Sequence, residues 1–211
     1  MSGWDIKREL KALYAPKNVA WALVDVPPQR FIGVDGVGDP NSAEAYADAV
    51  QALYAVAYTL KFAHRERPFT VGPLEGLWWA DDPRTFVTRE KAAWKWTMLV
   101  SLPPWLADDD GNGNGNGNVD AAKAVALAKK KLPAIEKVRV VELNEGRCAQ
   151  VLHVGPYDDE GPKLAQLHGA FFAEHGLTFN GLHHEIYLSD PRRVEPAKLK
   201  TILRQPVKSR G

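Results

Sequence analysis

The chain repeats itself, and that constrains its fold more than any other feature. PQRFIGVDGVGDP (28–40) lies over EGRCAQVLHVGPYDD (145–159), and LWWADDPR (77–84) lies over IYLSDPRR (186–193). Both halves run in the order apolar strand, glycine, helix, strand and an Asp-Pro-Arg turn. The sequence therefore predicts a duplicated β-α-β-β unit, with pseudo-repeats at about 19–105 and 138–207 in a single domain spanning 1–211. The fold class expected is α+β with a largely antiparallel sheet. Units of this kind can pair around a pseudo-twofold axis, and a concave pocket is expected at the seam between the repeats.

Local patterning supplies the elements. Residues 43–65 carry apolar side chains at three- and four-residue spacing, with Ser42 as the expected cap, which is the helix period. VAWALVDV and RFIGVDGVG are apolar runs parted by Pro27 and Pro28, so two strands or one bent strand are expected. TVGPLEGLWWA and WKWTMLVSLPPWL read as strands joined by a polar connection, Asp81 to Lys91. VDAAKAVALAKKKL reads as a helix with Asp120 in its first turn and Lys129 to Lys131 in its last, as the helix dipole favours. VRVVELNEGRCAQVLHVG is expected to form a strand or hairpin, EGPKLAQLHGAFFAEHG a helix, and HHEIYLSD and LKTILRQPV strands. The stretch DDDGNGNGNGN, 108–118, buries nothing and reads as a flexible surface loop.

Composition narrows the function classes. Lys+Arg 27 against Asp+Glu 26 gives a net charge of +1 in 211 residues, without the basic footprint that nucleic-acid binding requires. No run approaches the roughly 18 apolar residues of a membrane span, and the opening MSGWDIKREL lacks the apolar core of a secretory signal, so a cytoplasmic protein is expected. A single cysteine, Cys148, forbids an internal disulfide and reads as a buried strand residue. Seven Trp beside six Tyr and seven Phe is a surplus of flat, large side chains suited to planar guests. A monomer or weak homodimer is expected.

Strand alternation sorts the polar candidates. His183, Glu185 and Tyr187 share one face of HHEIYLSD, and His184, Ile186 and Leu188 share the other. With the apolar pair facing the core, Glu185 faces either solvent or a cavity. His183 and His184 point apart, which argues against a metal site built from HHE. Glu160 ends GPYDDEG at a helix start, where capping is the default role, shared with Asp158 and Asp159 as competitors. Glu75 shares a strand face with Leu77 and Trp79, and Gly76 with Trp78. That glycine implies close approach of a ligand or backbone, or else a bulge or packing accommodation. Tyr46, Tyr54 and Tyr58 lie on one helical stripe, and Trp94 and Trp96 on one strand face. With Trp78 and Trp79 they could wall a planar guest. Glycines 33, 36 and 38 only loosely suggest a phosphate loop, and neither a Gly-x-Ser-x-Gly elbow nor a Walker pattern is present.

On these residues the chain resembles the GyrI-like (gyrase-inhibitor-like) small-molecule-binding family. YAPKN, VGPLEGLWW, CAQVLHVGPYDDEGP and HHEIYLSDPRRVEPAKLKTILR are similar to its cyclopropanoid cyclopropyl hydrolase subfamily, from about Trp4 to Val207. The resemblance implies an aromatic-lined pocket into which Glu185 projects, and it raises Glu160 as a second catalytic residue. It implies substrates of the yatakemycin and duocarmycin type, DNA-alkylating antibiotics whose cyclopropane, fused to a cyclohexadienone, is opened by water. Such an activity would give antibiotic resistance or xenobiotic detoxification. Trp78, Trp79, Glu75, Tyr54, Tyr58, Tyr157, Tyr187 and Trp96 are the expected substrate contacts. No metal or cofactor is required, because ring opening aromatises the dienone. The alternative is a binder that sequesters planar aromatic or cationic molecules without turnover.

Overall fold

The computed structural model describes residues 3–17, 19–106 and 117–211. The expected loop 108–118 lies outside the described residues except for its last two, which open a helix. In chain order the strands are β1 (Ala22–Val26), β2 (Gln29–Val37), β3 (Leu74–Trp79), β4 (Lys95–Ser101), β5 (Arg139–Leu143), β6 (Gly146–Val154), β7 (Leu177–Phe179), β8 (His183–Tyr187) and β9 (Lys200–Ser209). The longer helices are α1 (Glu44–Ala63), α2 (Gly117–Lys130) and α3, which runs through Gly161–Gln166, a π-helical turn Leu167–Phe171 and Phe172–His175. The described ladders are antiparallel, and the α+β class with a largely antiparallel sheet is as expected.

The chain divides into two compact units, Met1–Glu9 with Gln29–Leu143, and Leu10–Pro28 with Asn144–Gly211. The division does not follow the linear halves. β1 pairs with β6 in the second unit, and β5 pairs with β2 in the first. Pro27 and Pro28, which cannot donate ladder hydrogen bonds, separate β1 from β2 and let the chain pass from one unit to the other. VRVVELNEGRCAQVLHVG is therefore two strands in different units and not a hairpin.

In the first unit the strand order is β3-β4-β2-β5. Helix α1 buries Ala49, Ala52, Leu53, Val56, Ala57 and Leu60, an i, i+3, i+4 stripe, against β2 and β4. Its N-cap is Ala43 with no side-chain cap bond, so Ser42 does not cap it. Asp39 organises the entry instead: its Oδ1 accepts the Asn41 backbone N–H at 2.9 Å and its carbonyl the Ala43 N–H at 2.8 Å. Beneath α1 the fully buried Trp96 ring packs on Gly36, where an added Cβ would sit 2.0 Å from Trp96 Cη2. The glycine serves packing and not a phosphate.

In the second unit β6, β9 and β8 lie side by side, β1 flanks β6, and β7 pairs with the last residues of β9. Leu167 and Phe172 of α3 cover Ala149, Val151 and Leu203 on one face. The other face carries a buried ionic row. Gln150, Arg204 and His184 are in register across three strands. Arg204 donates to Gln150 Oε1 at 3.0 Å and to Glu145 Oε2 at 3.1 Å, and His184 Nδ1 lies 3.0 Å from Glu145 Oε1. Tyr14 packs its ring 5.6 Å from the Arg204 guanidinium.

The two Asp-Pro-Arg turns share one hydrogen-bond pattern. Asp82 Oδ1 accepts the Arg84 backbone N–H at 2.9 Å, Asp190 Oδ1 accepts that of Arg192 at 3.0 Å, and each arginine side chain folds back on its own aspartate.

Burial pushes the Glu145 carboxyl up, but the charges and hydrogen bonds of His184 and Arg204 outweigh it and leave it at about 2, against 4.5 ordinarily. Its stabilisation is complete above 4.5 and is lost as the pH falls towards 2. Urea unfolding should show wild-type stability falling by on the order of 3 kcal/mol across that window. Glu145→Gln, which strands the Arg204 charge, should cost about 3–5 kcal/mol at neutral pH and flatten the acid dependence.

Candidate functional site

The polar candidates of the second unit converge on the face covered by α3. Glu185 is in register with Leu203, and Leu203 with Val151, both in the cluster under α3, so His183, Glu185 and Tyr187 project to that side. Alternation alone sets this face opposite an apolar core. Both faces are in fact packed, because the opposite one holds His184, fully buried, in its ionic row. Tyr187 Oη donates to Glu185 Oε2 at 2.8 Å, and His183 Nε2 lies 3.4 Å from Oε1. The Glu185 side chain is 15% exposed, so it is neither a free surface carboxylate nor a sealed one.

The turn between β6 and α3 brings the second pair. Pro156 leads into a single 3-10 turn, Tyr157–Asp159, and the Tyr157 ring meets that of Tyr187 edge to face, centroids 5.6 Å apart. Glu160 follows with φ −74 and ψ −23, helical values, and its side chain makes no cap bond. The default capping role is overturned: the preceding 3-10 turn already winds the backbone into the helix, and the carboxylate is turned inward, the residue only 5% exposed. Burial, and then the charges of Glu160, Glu185 and Asp190, push the Tyr157 phenol to about 12. Tyr157 thus keeps its proton throughout the physiological range as a hydrogen-bond donor.

The candidates of the first unit part company. Trp78 stacks on Tyr46 of α1 and meets Trp94 edge to face, so it lies on the helix-covered side. Gly76 makes room for it there, since an added Cβ would come within 2.8 Å of Trp78 Nε1, which makes this glycine a packing accommodation. Glu75 pairs in register with Leu99 on the opposite face, where Phe31, Leu77, Leu99 and Val141 cluster, and it is fully buried. Trp79 alternates onto the Glu75 face. Trp96, expected to wall a guest, is instead a core residue between Gly36 and the edge of Tyr46, its Nε1 donating to the Gly38 carbonyl at 3.3 Å. Tyr54 and Tyr58 are ring neighbours along α1, but Tyr58 is 46% exposed beside an exposed Phe62. The tyrosine stripe flanks the buried stripe of α1 and does not form it.

Two features escaped the sequence. Glu145 and Arg204 are 59 residues apart, and neither local pattern announces the pairing. His168, in the π turn of α3, is held below the ordinary histidine range by burial and then by nearby His183. A concavity of about 580 Å³ in the second unit, lined by Val154, Leu188, Val194 and Lys200 among others, includes none of the candidates. Among the described residues no group of three or more His, Cys, Asp or Glu could hold a metal ion, and no helix is long and apolar enough to cross a membrane.

The GyrI-like small molecule binding domain matches residues 22–208. The chain belongs to the GyrI-like family. Three solved structures from Listeria innocua are similar over nearly all of it. An uncharacterized conserved protein is 39% identical with a TM-score of 0.85, over 97% of this chain and 100% of its own. A protein named as a hydrolase is 38% identical with a TM-score of 0.81, over 97% and 100%. Another structure of a named hydrolase is 37% identical with a TM-score of 0.84, over 98% and 100%. No curated protein matches.

Two titrations check these environments. Alkaline ultraviolet titration should show one phenol ionising at about 12 and not near 10, absent in Tyr157→Phe. Its stabilisation is complete below pH 10 and is lost as the pH rises through 12. Burial, and then Glu145, push the Cys148 thiol to about 12, so thiol reagents at neutral pH should label the protein only after unfolding.

Proposed function

We propose that this GyrI-like protein is a cofactor-independent hydrolase that opens the cyclopropane of cyclopropanoid DNA-alkylating compounds of the yatakemycin and duocarmycin type. The observation that carries the reading is the arrangement of Glu185, held by Tyr187 at 2.8 Å and only partly exposed, and the buried Glu160, whose charges both act on a half-buried Tyr157 that keeps its proton. The hydrolase names of relatives 37% and 38% identical support it. Glu185 takes a proton from water as the water oxygen bonds to the cyclopropane methylene carbon. The ring carbon–carbon bond breaks, and its electron pair passes through the dienone to the carbonyl oxygen as a phenolate. A phenol donor such as Tyr157 stabilises that developing charge, and a proton then completes the product. Glu160 assists in holding the water.

Mass-resolved incubation with a yatakemycin-type compound tests this. Many turnovers to a product one water heavier are expected. Glu185→Gln should lower kcat by about 10²–10⁴-fold, the range of a general base, and Glu160→Gln should also lower it. Recovery of intact compound from a stoichiometric complex would overturn the hydrolase reading in favour of a sequestering binder.

A further inference from the structure

His153 sits at the end of β6, two residues before Gly155, and is 4% exposed. Its Nε2 lies 3.0 Å from the Pro156 carbonyl. A carbonyl can only accept, so Nε2 carries the proton, and in the neutral ring Nδ1 is a bare acceptor. The same carbonyl accepts the Asp159 backbone N–H at 3.0 Å, the bond that closes the 3-10 turn. The imidazole therefore fastens the turn that carries Tyr157 and leads into Glu160. Gly155, at φ +141, lets the chain reverse over the ring, and an added Cβ there would lie 3.4 Å from Nε2.

The other side of the ring is unfinished. His153 Nδ1 is buried and has no hydrogen-bond partner among the described residues, and the same holds for Thr201 Oγ1 on β9. The two residues are register partners, and Thr201 is in turn the register partner of Tyr187. Cross-strand partners hold their Cβ atoms about 4.5–5.5 Å apart. One group has a lone pair to fill and the other a proton to give.

We propose that His153 is a positioning residue for the site, as the Nε2–H tautomer, and that His153 Nδ1 and Thr201 Oγ1 hold one buried water between them. The water fixes the ring, the ring fixes the Pro156 carbonyl, and the carbonyl fixes the turn that sets Tyr157 against Tyr187 and places Glu160. The kinetic consequence rests on the hydrolase reading, and the geometry does not.

Long-range ¹H–¹⁵N correlation on ¹⁵N-histidine-labelled wild type should find His153 protonated at Nε2 alone. Protonation at Nδ1 in the neutral ring would overturn the proposal, even if every variant failed to fold. A crystal structure that resolves waters should show one about 3 Å from both Nδ1 and Oγ1. Direct contact of those atoms would remove the water from the scheme. His153→Leu should speed amide exchange at Asp159 and Glu160 and lower kcat/KM by about tenfold each. His153→Gln, whose amide N–H can reach the same carbonyl, should restore most of both. Unchanged exchange in His153→Leu would overturn the positioning role whatever the turnover. Faster exchange in a protein whose wild type has no turnover would sustain the positioning role and overturn the hydrolase reading alone.

Discussion

The second unit depends on one buried ion pair. Arg204 and Glu145 are both withdrawn from water, and each would be costly there alone. Their pairing fixes β9 against the turn before β6, and with His184 and Gln150 it pins three strands in one register. Register is what decides the chemistry. A slip of β8 by one residue would exchange His184 with Glu185, sending the carboxylate into the ionic row and the imidazole to the side of Tyr157. A charged group on one face thus guards the identity of the group on the other.

That side of the sheet then manages protons by burial and proximity. Tyr187 donates a hydrogen bond from its hydroxyl to Glu185 Oε2, which leaves the carboxylate's other oxygen facing His183. Tyr157, half-buried and then under the charges of Glu160, Glu185 and Asp190, retains its proton far above neutrality. In the proposed reaction a carboxylate would accept the proton of the attacking water while a phenol donates to the developing phenolate. Cys148 stays outside this chemistry, its thiol kept protonated by burial.

Much of this was legible in the residues because it is local. Period-two alternation separated His183, Glu185 and Tyr187 from His184 and Ile186, the three- and four-residue period marked α1, and the Asp-Pro-Arg repeat predicted turns that coincide in their hydrogen bonds. What was not legible is long-range or many-bodied. No local rule says that the face opposite Glu185 is sealed by a guanidinium, that Trp96 needs Gly36 beneath it, or that Glu160 turns inward when a 3-10 turn precedes its helix. Aromatic residues misled most readily, since Trp96 in a core and a tryptophan lining a pocket share the same strand pattern.

The prolines at 27 and 28 have a genealogical consequence. If the two halves descend from one ancestral β-β-α-β-β segment, each copy has lent its opening strand to the other, β1 to the second unit and β5 to the first. Such a reciprocal exchange of strands is the arrangement of a domain-swapped dimer, here within one chain. Neither half can then be cut free as a self-sufficient module, because each would leave carrying a strand its partner needs and missing one of its own.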